Sequence, residues 1–356
     1  MRRERVVEMG QGWRMPAEWE GHEATWMAWP HELTDWPGKF APIPWACAEI
    51  VRHLTRVERV FLLVENREAE TRARTILKKA GAALEAVEFF HVATDRVWLR
   101  DSGPICVKNA AGEVAYNNFV FNGWAKYADH KKDAAVVAKA NRRLKRRVIL
   151  PECKGRRVVL EGGSIDVNGK GTLLTTEECL LSKTQERNPG FAQEDYEAMF
   201  REFLGVTHVL WLGNGIAGDD THWHVDDLTR FVNATTVVTV VEEDTRDANY
   251  KALQENLERL RSMKDQDGRA LLVETLPMPA PVYFDGQRLP ASYANFYIAN
   301  KLVLAPTFND ANDRVALGVL AKVFPGREVV GIHCRDVVLG LGTIHCMTQQ
   351  EPKAGG

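Results

Sequence analysis

The chain has 356 residues, 45% of them hydrophobic and 26% charged, which suits one large soluble domain or two ordinary ones. Its 46 basic and 48 acidic residues leave a net charge of −2, so no basic field draws in nucleic acid or an anionic membrane. The first residues lack the apolar run of a signal peptide and no run of about 18 apolar residues marks a membrane span, so a cytoplasmic protein is expected.

Cys47, Cys106, Cys153, Cys179, Cys334 and Cys346 form no C-x-x-C pair, a pattern of reduced thiols rather than disulfides or structural zinc. In chain order, "ATWMAWP", a helix around residues 44–56 and "VFLLVE" give strand, helix, strand. The next segments, "GPICVK", "EVAYNNFV", "DAAVVAKANRRL" and "RVIL", read as strand, strand, helix, strand. That order recurs from "VVLEGGSIDVNG" to "HVLWL", from "LTRFVNA" to "LLVETL", and from "ANFYIAN" to "EVVGIHC". The basic run "NRRLKRR" reads as a solvated helix end.

The first unit lacks a strand, which the C-terminal "GTIHCMT" is expected to supply. The chain ends then close a ring of five ββαβ units, and the segments that begin each unit face one central channel. An open doubly wound sheet would share the βα alternation, but the hairpin before each helix favours the ring. A single catalytic domain over 1–356 is expected, with loose ends at 1–12 and 352–356.

Polar clusters fall at the starts of these units: "WLRDSGP" with Asp101, "LEGG" with Glu161, "GDDTHWHVDD" with His224 and Asp226, and "GLGTIHCMTQQ" with Cys346. A ring would bring them together. Read as a strand, "THWHVDD" puts His222, His224 and Asp226 on one face and Trp223 on the other. That face could bind a metal through its H-x-H pair, or hold a general base beside a carboxylate that grips a cation.

These motifs, with "MPAEWEGHEATWMAWP", "CLLSKTQERNPG" and "NFYIANKLVLAP", resemble the agmatine deiminase and bacterial peptidylarginine deiminase family of the guanidino-modifying pentein superfamily. The resemblance implies a five-bladed α/β-propeller of ββαβ units around an active-site channel. It implies Cys346 as nucleophile, His224 as general acid/base, Glu161 as the group that orients the histidine, and Asp101 and Asp226 as guanidinium ligands.

The implied reaction is hydrolysis of agmatine to N-carbamoylputrescine and ammonia through a covalent S-alkylthiouronium, with no metal, nucleotide or redox cofactor. Asp220 is expected near the substrate's distal ammonium, with Asp219 and Asp227 as further nominees, and Trp98 and Trp29 along its methylene chain. Trp223 and Leu341 stand where the family usually has glycine, and Leu341 is expected to reshape the approach to the site. Deimination of peptidyl-arginine, a metal-dependent amidohydrolase using His222, His224 and Asp226, and a non-catalytic guanidine binder are the alternatives. Neither nucleic acid nor membrane is an expected partner, and a homo-oligomer is left open.

Overall fold

A computed structural model describes residues 12–355. Residues 1–11 and 356, part of the expected loose ends, lie outside the described residues.

Four of the sheets repeat one design. In the first, strand Ile105–Lys108 pairs antiparallel with Val114–Asn117, and the chain crosses over through helix Val136–Leu144 to the parallel strand Arg147–Ile149. The second joins Asp166–Val167, Thr172–Thr176 and His208–Leu212 around helix Gln193–Leu204. The third and fourth run through Thr229–Phe231, Thr236–Val241 and Leu272–Pro277, then Tyr297–Ala299, Leu302–Thr307 and Glu328–His333. A hairpin needs only a turn, whereas a parallel neighbour needs a crossover long enough to hold a helix, so each unit places one helix before its third strand.

Local sequence explains the helices. Tyr196, Met199, Phe200 and Phe203 bury one face of Gln193–Leu204, and Asp195 accepts the Ala192 amide at its start. Gly205, at φ 68°, ends it in the left-handed conformation.

The fifth sheet has four strands, in the order 349–352, 22–28, 59–64, 87–91. Its C-terminal strand does complete the N-terminal unit, antiparallel to His22–Ala28, but it is Gln349–Pro352 rather than "GTIHCMT". Ile344–Met347 is a helical turn instead. The cause is remote: Asn295 Oδ1 accepts the amides of His345 at 3.1 Å and Cys346 at 3.4 Å, which caps that turn from another unit.

The expected loose tail is also corrected. Pro352 is buried, the Lys353 amide donates to Gly21 O at 2.9 Å and the Gly355 amide to Gly112 O at 2.9 Å. Those backbone bonds hold residues 352–355 against the body of the protein.

Among the described residues, no helix is long and apolar enough to cross a membrane. The basic run ends helix Val136–Leu144, and its Arg143 and Arg146 pair with Glu88 and Glu351.

Candidate active site

A pocket of about 460 Å³ opens over Cys346. Its lining includes Trp98, Asp101, Trp124, Asp220, Leu341 and Cys346. Gly342 is a condition of this geometry, because a Cβ there would stand 2.9 Å from the Trp98 ring and 3.0 Å from Cys346 Cβ.

Asp101 sits on the short helix Leu99–Ser102 and is buried. Its Oδ1 accepts the Gly163 amide at 2.9 Å and its Oδ2 accepts Trp124 Nε1 at 2.8 Å. A Cβ on Gly163 would lie 2.5 Å from His224 Nδ1 and 2.9 Å from Asp101 Oδ1, so the EGG segment needs glycine here for close approach. Burial raises the Asp101 carboxyl, helped by Asp226 and Glu161 and opposed by His224.

His224 is buried between carboxylates. Its Nδ1 lies 3.8 Å from Asp101 Oδ1 and its Nε2 lies 3.6 Å from Glu161 Oε2, charge contacts too long for hydrogen bonds. Neither ring nitrogen has a hydrogen-bond partner. Burial opposes the charged ring, but Asp101, Cys179 and Glu161 outweigh it and hold the imidazole well above its ordinary range. Glu161 in turn accepts Arg187 Nε at 3.0 and 3.3 Å. Against the cost of burial, Arg187 and His224 bring its carboxyl down to about 2.

Asp226 is fully buried. Its Oδ2 accepts His345 Nδ1 at 2.7 Å while Oδ1 has no partner, so one oxygen is anchored and the other is available to a donor. Burial resists its ionisation, yet the His345 bond and charge lower its carboxyl from the usual range. Cys346 Sγ stands 3.8 Å from Asp226 Oδ2 and accepts Asn295 Nδ2 at 3.2 Å. Burial, then Asp226, Asp227 and Asp101, push this thiol well above its ordinary range, with Asn295 opposing.

Several expectations need correction. Residues 221–224 are not a strand: His222 and Trp223 take φ of 64° and 71°, and Val225–Asp227 is a tight helical turn. The backbone is turned there because Asp219 Oδ2 accepts the His224 amide and Thr176 Oγ1 donates to Trp223 O. His222 therefore leaves the proposed face, and its Nε2 meets Glu178 Oε1 at 2.9 Å. That breaks the His222, His224, Asp226 metal set.

Trp223 does stay out of the pocket lining, through this turn rather than strand alternation. Trp29 is corrected too: it is buried in the apolar core and does not line the pocket, whereas Trp98 does. Asp220 lines the pocket but is occupied by Lys126 and by Tyr127 Oη at 2.6 Å. Asp227 is buried, and Asp219 is spent on Thr221 and the His224 amide.

Sequence reasoning missed Arg187, Asn295, Trp124 and the pair His345 and Glu18. Four of these had a signal, since Glu18, Arg187, Asn295 and His345 lie inside "MPAEWEGHE", "CLLSKTQERNPG", "NFYIAN" and "GLGTIHCMTQQ". Trp124, at φ 57° in "FNGWAKY", had none.

The assembled geometry is that of a buried thiol facing a cluster of carboxylates with one imidazole among them, the arrangement of an enzyme that holds a cation for nucleophilic attack. The chain belongs to the Porphyromonas-type peptidyl-arginine deiminase family, whose model matches residues 14–352. It is similar to the agmatine deiminase of Ectopseudomonas mendocina, 35% identical over 97% of each chain. Among solved structures it is similar to the agmatine deiminase of Enterococcus faecalis, with TM-score 0.87 and 33% identity over 96% of each chain. A C. jejuni agmatine deiminase with substrate bound gives TM-score 0.87 and 29% identity over 99% of this chain and 100% of that one.

Proposed function

We propose that this protein is an agmatine deiminase that hydrolyses the guanidinium of agmatine to N-carbamoylputrescine and ammonia. The observation that carries the reading is Cys346 Sγ beside Asp226, with Asp101 and His224 on the same buried cluster. The full-length likeness to agmatine deiminases supports it.

Asp101 and the free Oδ1 of Asp226 would accept the guanidinium N–H groups and aim its central carbon at Sγ. The arriving cation offsets the carboxylates that hold the thiol up, and the thiolate forms as the substrate seats. Sulfur adds to the carbon; protonated His224 donates to one nitrogen; ammonia leaves, and an S-alkylthiouronium remains. The neutral His224 then takes a proton from water, whose oxygen adds to the same carbon. The C–S bond breaks as the new hydroxyl releases its proton to the departing ammonia or to solvent, and the ureido product and thiolate are released. Glu161, fixed by Arg187, orients the imidazole and balances its charge.

The same reading takes the chain as a single catalytic domain with its five sheets of three or four strands as blades of an α/β-propeller. Support comes from the segments that precede the first strand of each unit. Asp101, Glu161, Asp226, Asn295 and Cys346 each come from a different one, and all five meet at the site.

Free arginine fits less well. Arg96 is the arginine in the pocket lining, and it is committed to Asp35 at 3.2 Å and Asp129 at 3.0 Å.

Ammonia release from agmatine, free arginine and a blocked arginyl peptide, with wild type and Cys346→Ser, tests the proposal. Agmatine turnover that Cys346→Ser abolishes is the expected result. Turnover of the peptide alone moves the substrate, and turnover that survives Cys346→Ser sinks the mechanism.

A further inference from the structure

Cys179 has no part in the reaction above, yet its sulfur lies within 4.8 Å of a ring nitrogen of the acid/base histidine. It lies on the short helix Glu177–Leu181, fully buried, with its amide held by Thr176 Oγ1 at 3.2 Å. A ligand atom from each of Glu161, Cys179 and His224 lies within 4.8 Å of the other two, and all three residues are buried. A second observation points into the same space: His224 is 1% exposed and neither of its ring nitrogens has a hydrogen-bond partner. Buried nitrogens are rarely left so, and a ring nitrogen set between a thiol and a carboxylate supplies, once it gives up its proton, the donor set of a borderline-soft divalent ion.

We propose that Glu161, Cys179 and His224 form a buried inhibitory site for a thiophilic divalent cation of the Zn²⁺ class. The inhibition rests on the reading of His224 as the acid/base, because the ion takes the lone pair that must accept the proton of water.

Tetrahedral zinc with bonds of about 2.0–2.3 Å sets its ligand atoms roughly 3.3–3.8 Å apart; His224 Nε2 and Glu161 Oε2 already stand 3.6 Å apart, and the Cys179 sulfur, within 4.8 Å of both partners, closes by at most about 1 Å to complete the grip. Arg187 keeps Glu161 in place during that closure, and a carboxylate has about four acceptor sites, enough for both partners. Charge balances as well. A carboxylate, a neutral imidazole, a thiolate and the dication sum to a buried net charge of zero, and any proton on the imidazole or the sulfur leaves as the ion enters. The fourth position is left to water.

This trio differs from a site at the nucleophile. Cys346 faces Asn295 and Asp226, not Glu161.

The test adds Co²⁺, then Zn²⁺ in competition, to the full-length protein stripped with chelator. The thiolate-to-cobalt charge-transfer band and ammonia release are read separately. Wild type and Cys346→Ser are each expected to develop the band at one ion per chain. Cys179→Ser should lose the band and bind Zn²⁺ at least tenfold more weakly, and Zn²⁺ should stop wild-type turnover until chelator restores it.

A band that follows Cys346 instead of Cys179, or no band in wild type, overturns the site. A band that follows Cys179 with turnover indifferent to Zn²⁺ overturns the inhibition. If wild type shows the band but no deiminase activity, the site stands and the functional reading falls. Should Cys179→Ser not fold, anomalous diffraction at the zinc edge from wild-type crystals decides by placing the ion on Cys179 or away from it.

Discussion

His345 Nδ1 lies 2.7 Å from Asp226 Oδ2, and the other face of the same ring, Nε2, lies 2.8 Å from Glu18 Oε2. The neighbour of Cys346 in sequence is thus the group that fixes a carboxylate beside the Cys346 sulfur in space. Arg100 and Arg230 hold Glu18 from behind at 3.2 and 3.1 Å, and the chain of charges is buried throughout.

His345→Gln should therefore weaken the site without touching Cys346. A hydrogen bond to a charged group is worth about 1.5–3 kcal/mol, which corresponds to roughly a 10- to 150-fold loss in kcat/KM. Asp226 is held below its ordinary range by this contact, so its ionised form survives acid; in the variant the acid limb of kcat/KM should move to higher pH. A variant with an unchanged acid limb would show that His345 does not set the charge on Asp226.

The Cys346 thiol gives a second pH signature. Burial and the carboxylates of Asp226, Asp227 and Asp101 keep it protonated in the empty site. A neutral alkylating amide should react slowly near pH 7 and faster only as pH rises past the ordinary thiol range. A cationic amidine carrying the same leaving group should react faster, because its charge offsets the carboxylates. Equal rates for the two reagents on Cys346 would sink this account.

Arg187 and Glu161 form a pair with no exposure on either side chain. Glu161 falls to about 2 from an ordinary 4.5, a difference of about 3 kcal/mol at about 1.36 kcal/mol per pH unit. Because the folded value is depressed, that stability is present above about pH 4.5 and is lost as pH falls toward 2. Arg187→Met leaves the buried carboxylate with His224 at 3.6 Å as its remaining cationic partner, and chemical denaturation at pH 7 should show a loss of about 2–3 kcal/mol. A loss under 1 kcal/mol would mean that the pair contributes little.

Leu341 occupies the left-handed region at φ 70° and lines the pocket, where the family resemblance led one to expect glycine. Such a backbone costs a side-chain-bearing residue about 1–2 kcal/mol. Leu341→Gly should relieve that strain and widen the mouth, so turnover of a blocked arginyl peptide should rise several-fold relative to agmatine. An unchanged substrate ratio would remove Leu341 from the control of access.

Asp35 lines the same pocket, and its buried Oδ2 has no hydrogen-bond partner. Asp220 is taken by Lys126 and Tyr127 and Asp35 Oδ1 by Arg96, which leaves Asp35 Oδ2 as the acceptor expected to receive the substrate's distal ammonium. Asp35→Asn should raise the KM for agmatine about tenfold with little change in kcat. Burial raises this carboxyl to about 6 against the pull of Arg96, with Glu32 adding to the rise and His31 opposing it. KM in wild type should therefore climb as pH drops below about 6, and a KM flat across that range would count against Asp35.

The repeated order of strands and helices is legible in the amino-acid pattern, because periodic burial and turn residues are local properties. The ordered motifs also point to Cys346, His224, Glu161, Asp101 and Asp226. What holds these side chains in place emerges from packing between distant segments. "THWHVDD" alternates like a strand, but Asp219 and Thr176 turn its backbone, and His222 swings out to Glu178. "GTIHCMT" has strand composition, but Asn295 winds it into a helical turn and hands the strand to the residues that follow. Arg187 on Glu161 and Glu18 on His345 are likewise pairings between remote segments. Periodicity reports which face of a segment is buried; which partner waits there is fixed only when distant units pack, since a buried polar group takes its conformation from whatever satisfies it.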